Sequence, residues 1–179
     1  MYAVYHGPRG LREIANRVHG LTGRLVDGLR KAGVEPEGEH FFDTITITLE
    51  GRAEEFLRAA EDRGYNLRSL DGGRIGIALD ETATTDDVNA LLQCLELVPG
   101  DGTAEGIPAG MRRQSTFLDE EVFHRYHSET EMMRYLRRLE GKDLALNESM
   151  ISLGSCTMKL NAASEMIPVT WAEVGTIHP

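Results

Sequence analysis

Nine consecutive residues, Leu153-Gly154-Ser155-Cys156-Thr157-Met158-Lys159-Leu160-Asn161, gather a thiol, an amine, two hydroxyls and an amide. Their apolar members follow neither the strand period nor the helical one, so a packed element does not explain them. A loop this dense in donors and nucleophile types suits contact with a ligand or another chain. Lys159 carries the amine that a Schiff base needs, and equally the charge of an anion contact or of a solvated surface. Cys156 is a candidate nucleophile with no adjacent histidine or helix start to favour its thiolate. A small buried filler in a tight loop is the plainer reading of that thiol. Ser155 and Thr157 flank it, so in extended backbone their hydroxyls point the same way. With nearby N–H groups they can hold a carboxylate or phosphate, or simply stabilise a turn.

Other reactive side chains carry less. His124 and His127 stand one helical turn apart near Glu131, but no third ligand follows at a recognised spacing. Ser128-Glu129-Thr130-Glu131 already reads as a capping box, so no metal site is expected. Gly72-Gly73 reads as a turn, because the helix and lysine of a phosphate loop do not follow. Arg134, Arg137 and Arg138 read as a solvated or interface face of a helix. Cys94 flanks a leucine stripe and belongs to a core.

These groups need elements to position them. Pro8 suits a first helical position, and Leu11, Ile14, Ala15, Val18, Leu25 and Leu29 recur at helical spacing, predicting a helix over 9–33 that Gly33 stops. Residues 41–49 alternate Ile45, Ile47 and Leu49 against Thr44, Thr46 and Thr48, a half-buried strand. A helix over 52–63 follows, with Ala53, Phe56, Leu57 and Ala60 on one face. Strands 66–70 and 74–79 flank the turn Asp71-Gly72-Gly73. A third helix over 86–98 is entered at Thr84-Thr85-Asp86-Asp87 and striped by Val88, Leu91, Leu92 and Leu95. The order predicts an α+β layer with helices on one face of a short sheet, over residues 1–98. Residues 99–115, with four glycines and two prolines, read as a linker. Residues 116–179 hold a helix faced by Met132, Tyr135, Leu136 and Leu139, then the polar loop. That apolar stripe needs a cover.

Of the 179 residues, 41% are hydrophobic and 27% charged, ordinary for a globular protein. The net charge of -10 is uneven, at +4 over 1–34, -13 over 35–123 and -1 over 124–179. So acidic a middle argues against a nucleic-acid partner. No apolar run approaches a membrane span, and no signal-peptide pattern opens the chain. Two cysteines make no disulfide framework, which suits a reducing, cytoplasmic setting.

The run Ser149-Met150-Ile151-Ser152-Leu153-Gly154-Ser155-Cys156-Thr157-Met158-Lys159-Leu160-Asn161 resembles the signature of the P-protein of the glycine cleavage system. The likeness continues through Glu165-Met166-Ile167-Pro168-Val169-Thr170-Trp171 to His178-Pro179. It returns at Phe123–Tyr135, at Lys142–Asn147 and at Met1-Tyr2-Ala3-Val4-Tyr5-His6-Gly7-Pro8. Ser152 and Ala172 depart from it, standing where the family usually carries prolines. Family members are several-fold longer, so the chain resembles their middle: the small domain closing the first half, a linker, and the start of the second half.

The resemblance implies a fold-type-I, pyridoxal-phosphate-dependent enzyme that releases CO2 from glycine. It passes the aminomethyl group to the lipoyl arm of the H-protein, and is a homo-oligomer when complete. It places the Schiff-base lysine outside this chain, so no catalytic residue is assigned here and the chain alone is expected to be inactive and free of cofactor. It makes Ser155, Thr157, Lys159 and Asn161 a loop bordering the cofactor or substrate site. It implies the cytoplasm, or the mitochondrial matrix in a eukaryote. The competing readings are a small-ligand-binding regulatory α+β module and a structural piece that completes a partner chain.

Overall fold

The computed structural model describes residues 1–100, 104–143, 145, 148 and 163–175. It divides into two compact units, Met1–His124 and Arg125–Pro179.

In the first unit, helix α1 (Tyr2–Lys31) is broken at Gly7, whose φ of 64° and ψ of 179° no helix contains. Pro8 restarts it, because its fixed φ fits a first helical position and its missing N–H needs no partner there. Strand β1 (Thr44–Thr48), helix α2 (Ala53–Glu61), strands β2 (Arg68–Leu70) and β3 (Arg74–Ala78), and helix α3 (Thr85–Gln93) follow. The sheet is antiparallel in the order β1-β3-β2, with Ile45 opposite Ile77, Ile47 opposite Ile75 and Ser69 opposite Ile75. The Asp71–Gly73 turn joins β2 to β3, and Gly72 and Gly73 both hold φ of 74°.

The isoleucines of β1 and β3 meet Leu25, Val26 and Leu29 of α1, Phe56 and Ala60 of α2, and Val88, Leu91 and Leu92 of α3 in one core. Burying each such side chain contributes about 1.5–3 kcal/mol, so the three helices are held to the isoleucine face. The other face carries Thr44, Thr48 and Arg74 and is exposed. There Arg74 donates twice to the Glu37 carboxylate, both at 2.7 Å. The architecture is α+β, as the alternation of residues 41–49 and the three helical stripes predict.

One local difference from that prediction has a physical cause. Helix α3 ends at Gln93 rather than near Val98. Glu96 enters the left-handed region (φ 59°), and the N–H of Leu97 turns back to the Leu92 carbonyl at 2.9 Å. The turn keeps Leu95 buried and Leu97 packed on the core, which a continued helix would not do for both. Beyond α3, the described residues on either side of 101–103 contact α1. Gly100 lies against the backbone of α1, and the N–H of Ala104 donates to Asp27 at 3.2 Å. A 3-10 turn at Glu121–His124 also packs on α1.

The second unit holds helix α4 (Glu129–Glu140) and, among its described residues, two short helices, α5 (Ala163–Met166) and α6 (Ala172–Gly175). Ser128 caps α4, accepting from the N–H of Glu131 at 3.3 Å. Glu131 answers through its carboxylate to the Ser128 hydroxyl at 2.9 Å, rather than to the Ser128 backbone. Arg137 pairs with Glu140 at 2.7 Å and with Glu148, while Arg138 lies over the stacked rings of Tyr126 and Tyr135. No described helix is long and apolar enough to cross a membrane.

Candidate functional site

Ser155, Cys156, Thr157, Lys159 and Asn161 lie outside the described residues. The described lysines, Lys31 and Lys142, are both exposed. Among the described residues no group of three or more histidines, cysteines, aspartates or glutamates is placed to hold a metal ion. His124 instead sits 2.9 Å from the Leu118 carbonyl.

What the first unit does build is a cleft of about 770 Å³ along α1. The stripe that faces the sheet through Val18, Leu25 and Leu29 leaves a second stripe, Leu11, Arg12, Ala15, Asn16 and His19, on another side of the helix. That second stripe forms one wall. Residues from 104–117 form the other, and Phe42 also lines the cleft.

His19 ties the walls together. A carbonyl only accepts, so the Nδ1–H of His19 donates to Phe42 O at 2.9 Å. Its Nε2 then accepts from the N–H of Gly106 at 3.4 Å, a pairing that only the neutral imidazole makes on both sides. The Glu105 carboxylate stands 3.9 Å from the same Nε2. The Phe41 and Phe42 rings lie 5.4 and 5.8 Å from the imidazole. Gly106 allows this closeness, since a Cβ there would stand 2.6 Å from the Phe41 ring.

At the mouth, Arg112 pairs with Glu105. Arg12 and Arg113 both lie over the Phe117 ring, 5.7 and 5.6 Å from its centre. Arg113 also donates to Ser115 at 3.3 Å. The helical spacing of Leu11, Ala15 and His19 carries the signal for this cleft. It is masked by the stronger leucine stripe on the same helix.

The groups whose ionisation is perturbed lie elsewhere and have structural causes. The Thr84 hydroxyl, its N–H and then Tyr65 hold the Asp87 carboxyl below its ordinary value. Burial, and then the bond to Asp87, raises Tyr65. The Thr82 hydroxyl and N–H lower Asp80, and Arg74 lowers Glu37. Asp87 and Thr84 form the capping box of α3, so this cluster fixes a helix start rather than performing chemistry. Cys94 is packed between helices, its thiol 3.2 Å from the Ala90 carbonyl.

Residues 1–95, which carry α1 through α3, match the family of the glycine cleavage system P-protein. The chain belongs to that family. The chain is 51% identical to the glycine dehydrogenase (decarboxylating) of Stutzerimonas stutzeri (strain A1501), over 99% of its own length and 20% of that protein. It is 53% identical to the enzyme of the same name from Cupriavidus metallidurans (strain CH34), over 100% of its own length and 19% of that protein. This P-protein family chain therefore spans about a fifth of the length of the curated relatives it matches. The match covers the whole sheet layer, and the likeness to the relatives runs on through the second unit.

Proposed function

We propose that this chain serves as a segment of a longer glycine dehydrogenase (decarboxylating), whose activity needs the remaining segments. The observation that carries the reading is the 51% identity, which extends over 99% of the chain. Within the longer protein, residues 1–98 act as the small domain of one half of a fold-type-I enzyme, 99–115 connect it, and 116–179 begin the next half. Pyridoxal phosphate, bound to a lysine elsewhere, supplies the electron sink as CO2 leaves glycine. The chain's part is to shape one wall of that site. Ser155, Thr157 and Asn161 offer hydrogen bonds to the cofactor or to glycine, and Lys159 offers a positive charge rather than a covalent bond. The lipoylated H-protein receives the aminomethyl group, the complete protein is a homo-oligomer, and in a bacterium its place is the cytoplasm.

Exposed apolar side chains support a larger assembly. Met133 and Leu139 on α4 and Trp171 before α6 are open to solvent, at 62%, 40% and 54%. A helix whose apolar residues stay open gains little from folding alone, so a neighbouring segment would stabilise it.

The test is exchange of labelled CO2 into glycine. The chain alone, with pyridoxal phosphate and lipoylated H-protein, should show none. Mixed with separately produced flanking segments it should restore exchange, and Ser155→Ala with Thr157→Ala should lower the restored rate at least tenfold. Borohydride-dependent pyridoxyl labelling of Lys159 in the chain alone would overturn the reading.

A further inference from the structure

We propose that the cleft between α1 and residues 104–117 binds a small organic anion with an apolar body. This inference does not depend on the glycine dehydrogenase reading. The volume, about 770 Å³, falls among small-molecule sites, which run from roughly 300 to 1,000 Å³. An inorganic ion alone would leave most of it to water.

The charges at the mouth are not balanced. Glu105 is engaged by Arg112, whereas Arg12 and Arg113 meet no carboxylate among the described residues. In a chain of net charge -10 with 29 acidic residues, carboxylates are plentiful. Two guanidiniums kept apart from them beside a cleft are poised for an anion from outside the chain. Both lie over the Phe117 ring, which holds a guanidinium by its face and not by its in-plane N–H groups. Arg113 uses one of those donors on Ser115 and keeps the others. Those donors form the fork that takes a carboxylate or phosphate bidentately. Phe42, Ile107 and Met111 also line the cleft and present apolar surface to the body of the ligand, and Asn16 adds one amide.

Titration calorimetry on the 179-residue chain would compare phenyl phosphate and benzoate with inorganic phosphate and acetate, which lack the ring. At least one aryl anion should saturate a single site, at least tenfold more tightly than its ring-free counterpart. Whichever aryl anion binds tighter tells a phosphate monoester from a carboxylate as the natural group. Arg12→Gln and Arg113→Gln should each weaken binding about tenfold, as expected for loss of a charge-assisted hydrogen bond. Phe117→Leu, which keeps both charges but removes their platform, should weaken it several-fold. Arg58→Gln on α2, whose partner is Glu54, should leave it unchanged. Amide shifts should centre on Asn16, His19, Phe42 and Phe117. No saturable binding, equal binding of the ring-free ions, or binding unaffected by both cleft arginine variants would each overturn the proposal.

Discussion

The backbone N–H of Phe41 donates to the carbonyl of Gly106 at 3.2 Å, and the Phe41 ring fills the space that any side chain at 106 would need. Residues 65 positions apart are thereby joined just ahead of β1. Because His19 also accepts from Gly106, one glycine fixes the returning segment to both the strand approach and the helix.

Gly106→Ala should therefore destabilise the first unit by about 1–3 kcal/mol, since overpacking a tight contact forces ring and backbone to shift. Gly20→Ala is the contrasting case. Gly20 lies inside α1 with nothing within 4 Å of its would-be Cβ, so alanine should stabilise by about 1 kcal/mol through helix propensity alone. Urea titrations of the two variants should move in opposite directions, and equal shifts would discredit the contact.

Removing the His19 ring nitrogens should cost more than its exposure suggests. His19→Phe keeps a ring between Phe41 and Phe42 but strips the partners from Phe42 O and Gly106 N–H. The part-buried Gly106 N–H left unpaired should cost about 1–3 kcal/mol, whereas the exposed Phe42 carbonyl can turn to water. Hydrogen exchange at Gly106 should accelerate, while exchange at Ile47 and Ile75 should change only with global stability. Unchanged exchange at Gly106 would show that the imidazole bond contributes nothing.

How far these relationships were legible depended on periodicity. The Ile45/Ile47/Leu49 alternation, the Gly72-Gly73 turn and the leucine stripes of α1 and α3 each follow a single repeat, and the fold has them where the repeat places them. The packing of Gly100 and of residues 104–117 onto α1 was not legible. Glycine at 100 and 106 reads as flexibility in a sequence, whereas in the fold it permits backbone contact. The end of α3 was hidden for a related reason, because a left-handed Glu96 carries no signal of its own. The polar stretch at 153–161 stood out by composition. That composition implied contact groups without specifying which groups they meet.

The capping box of α3 gives a pH prediction. Thr84 and Tyr65 lower the Asp87 carboxyl relative to the unfolded chain, where it titrates near the ordinary value of about 3.9. A depressed carboxylate adds stability that is fully present above that ordinary value and is lost as pH falls through the lower folded one. Asp87→Asn should thus be less stable than the parent at pH 7, with the gap narrowing as pH drops below about 4. Thr84→Ala should cost about 1 kcal/mol at neutral pH, the usual worth of an N-cap hydroxyl. Thermal melts from pH 2 to 7 check both, and a gap that widens in acid would contradict the assignment.

Trp171 is the chain's one tryptophan and is 54% exposed, so it reports on whether the second unit gains a neighbour. In the chain alone its emission should be that of a solvated indole, quenched readily by iodide. If the chain functions within a longer glycine dehydrogenase, the exposed apolar group Ile167, Val169, Trp171 and Val174 should be covered there. Apolar burial of this kind is the main favourable term in joining two surfaces. Adding the flanking segments should shift the emission to the blue and reduce iodide quenching several-fold. Trp171→Asp should leave the α-helical signal of the chain alone intact while weakening its association with those segments at least tenfold. Iodide access that stays the same after assembly would place this surface outside the joined interface.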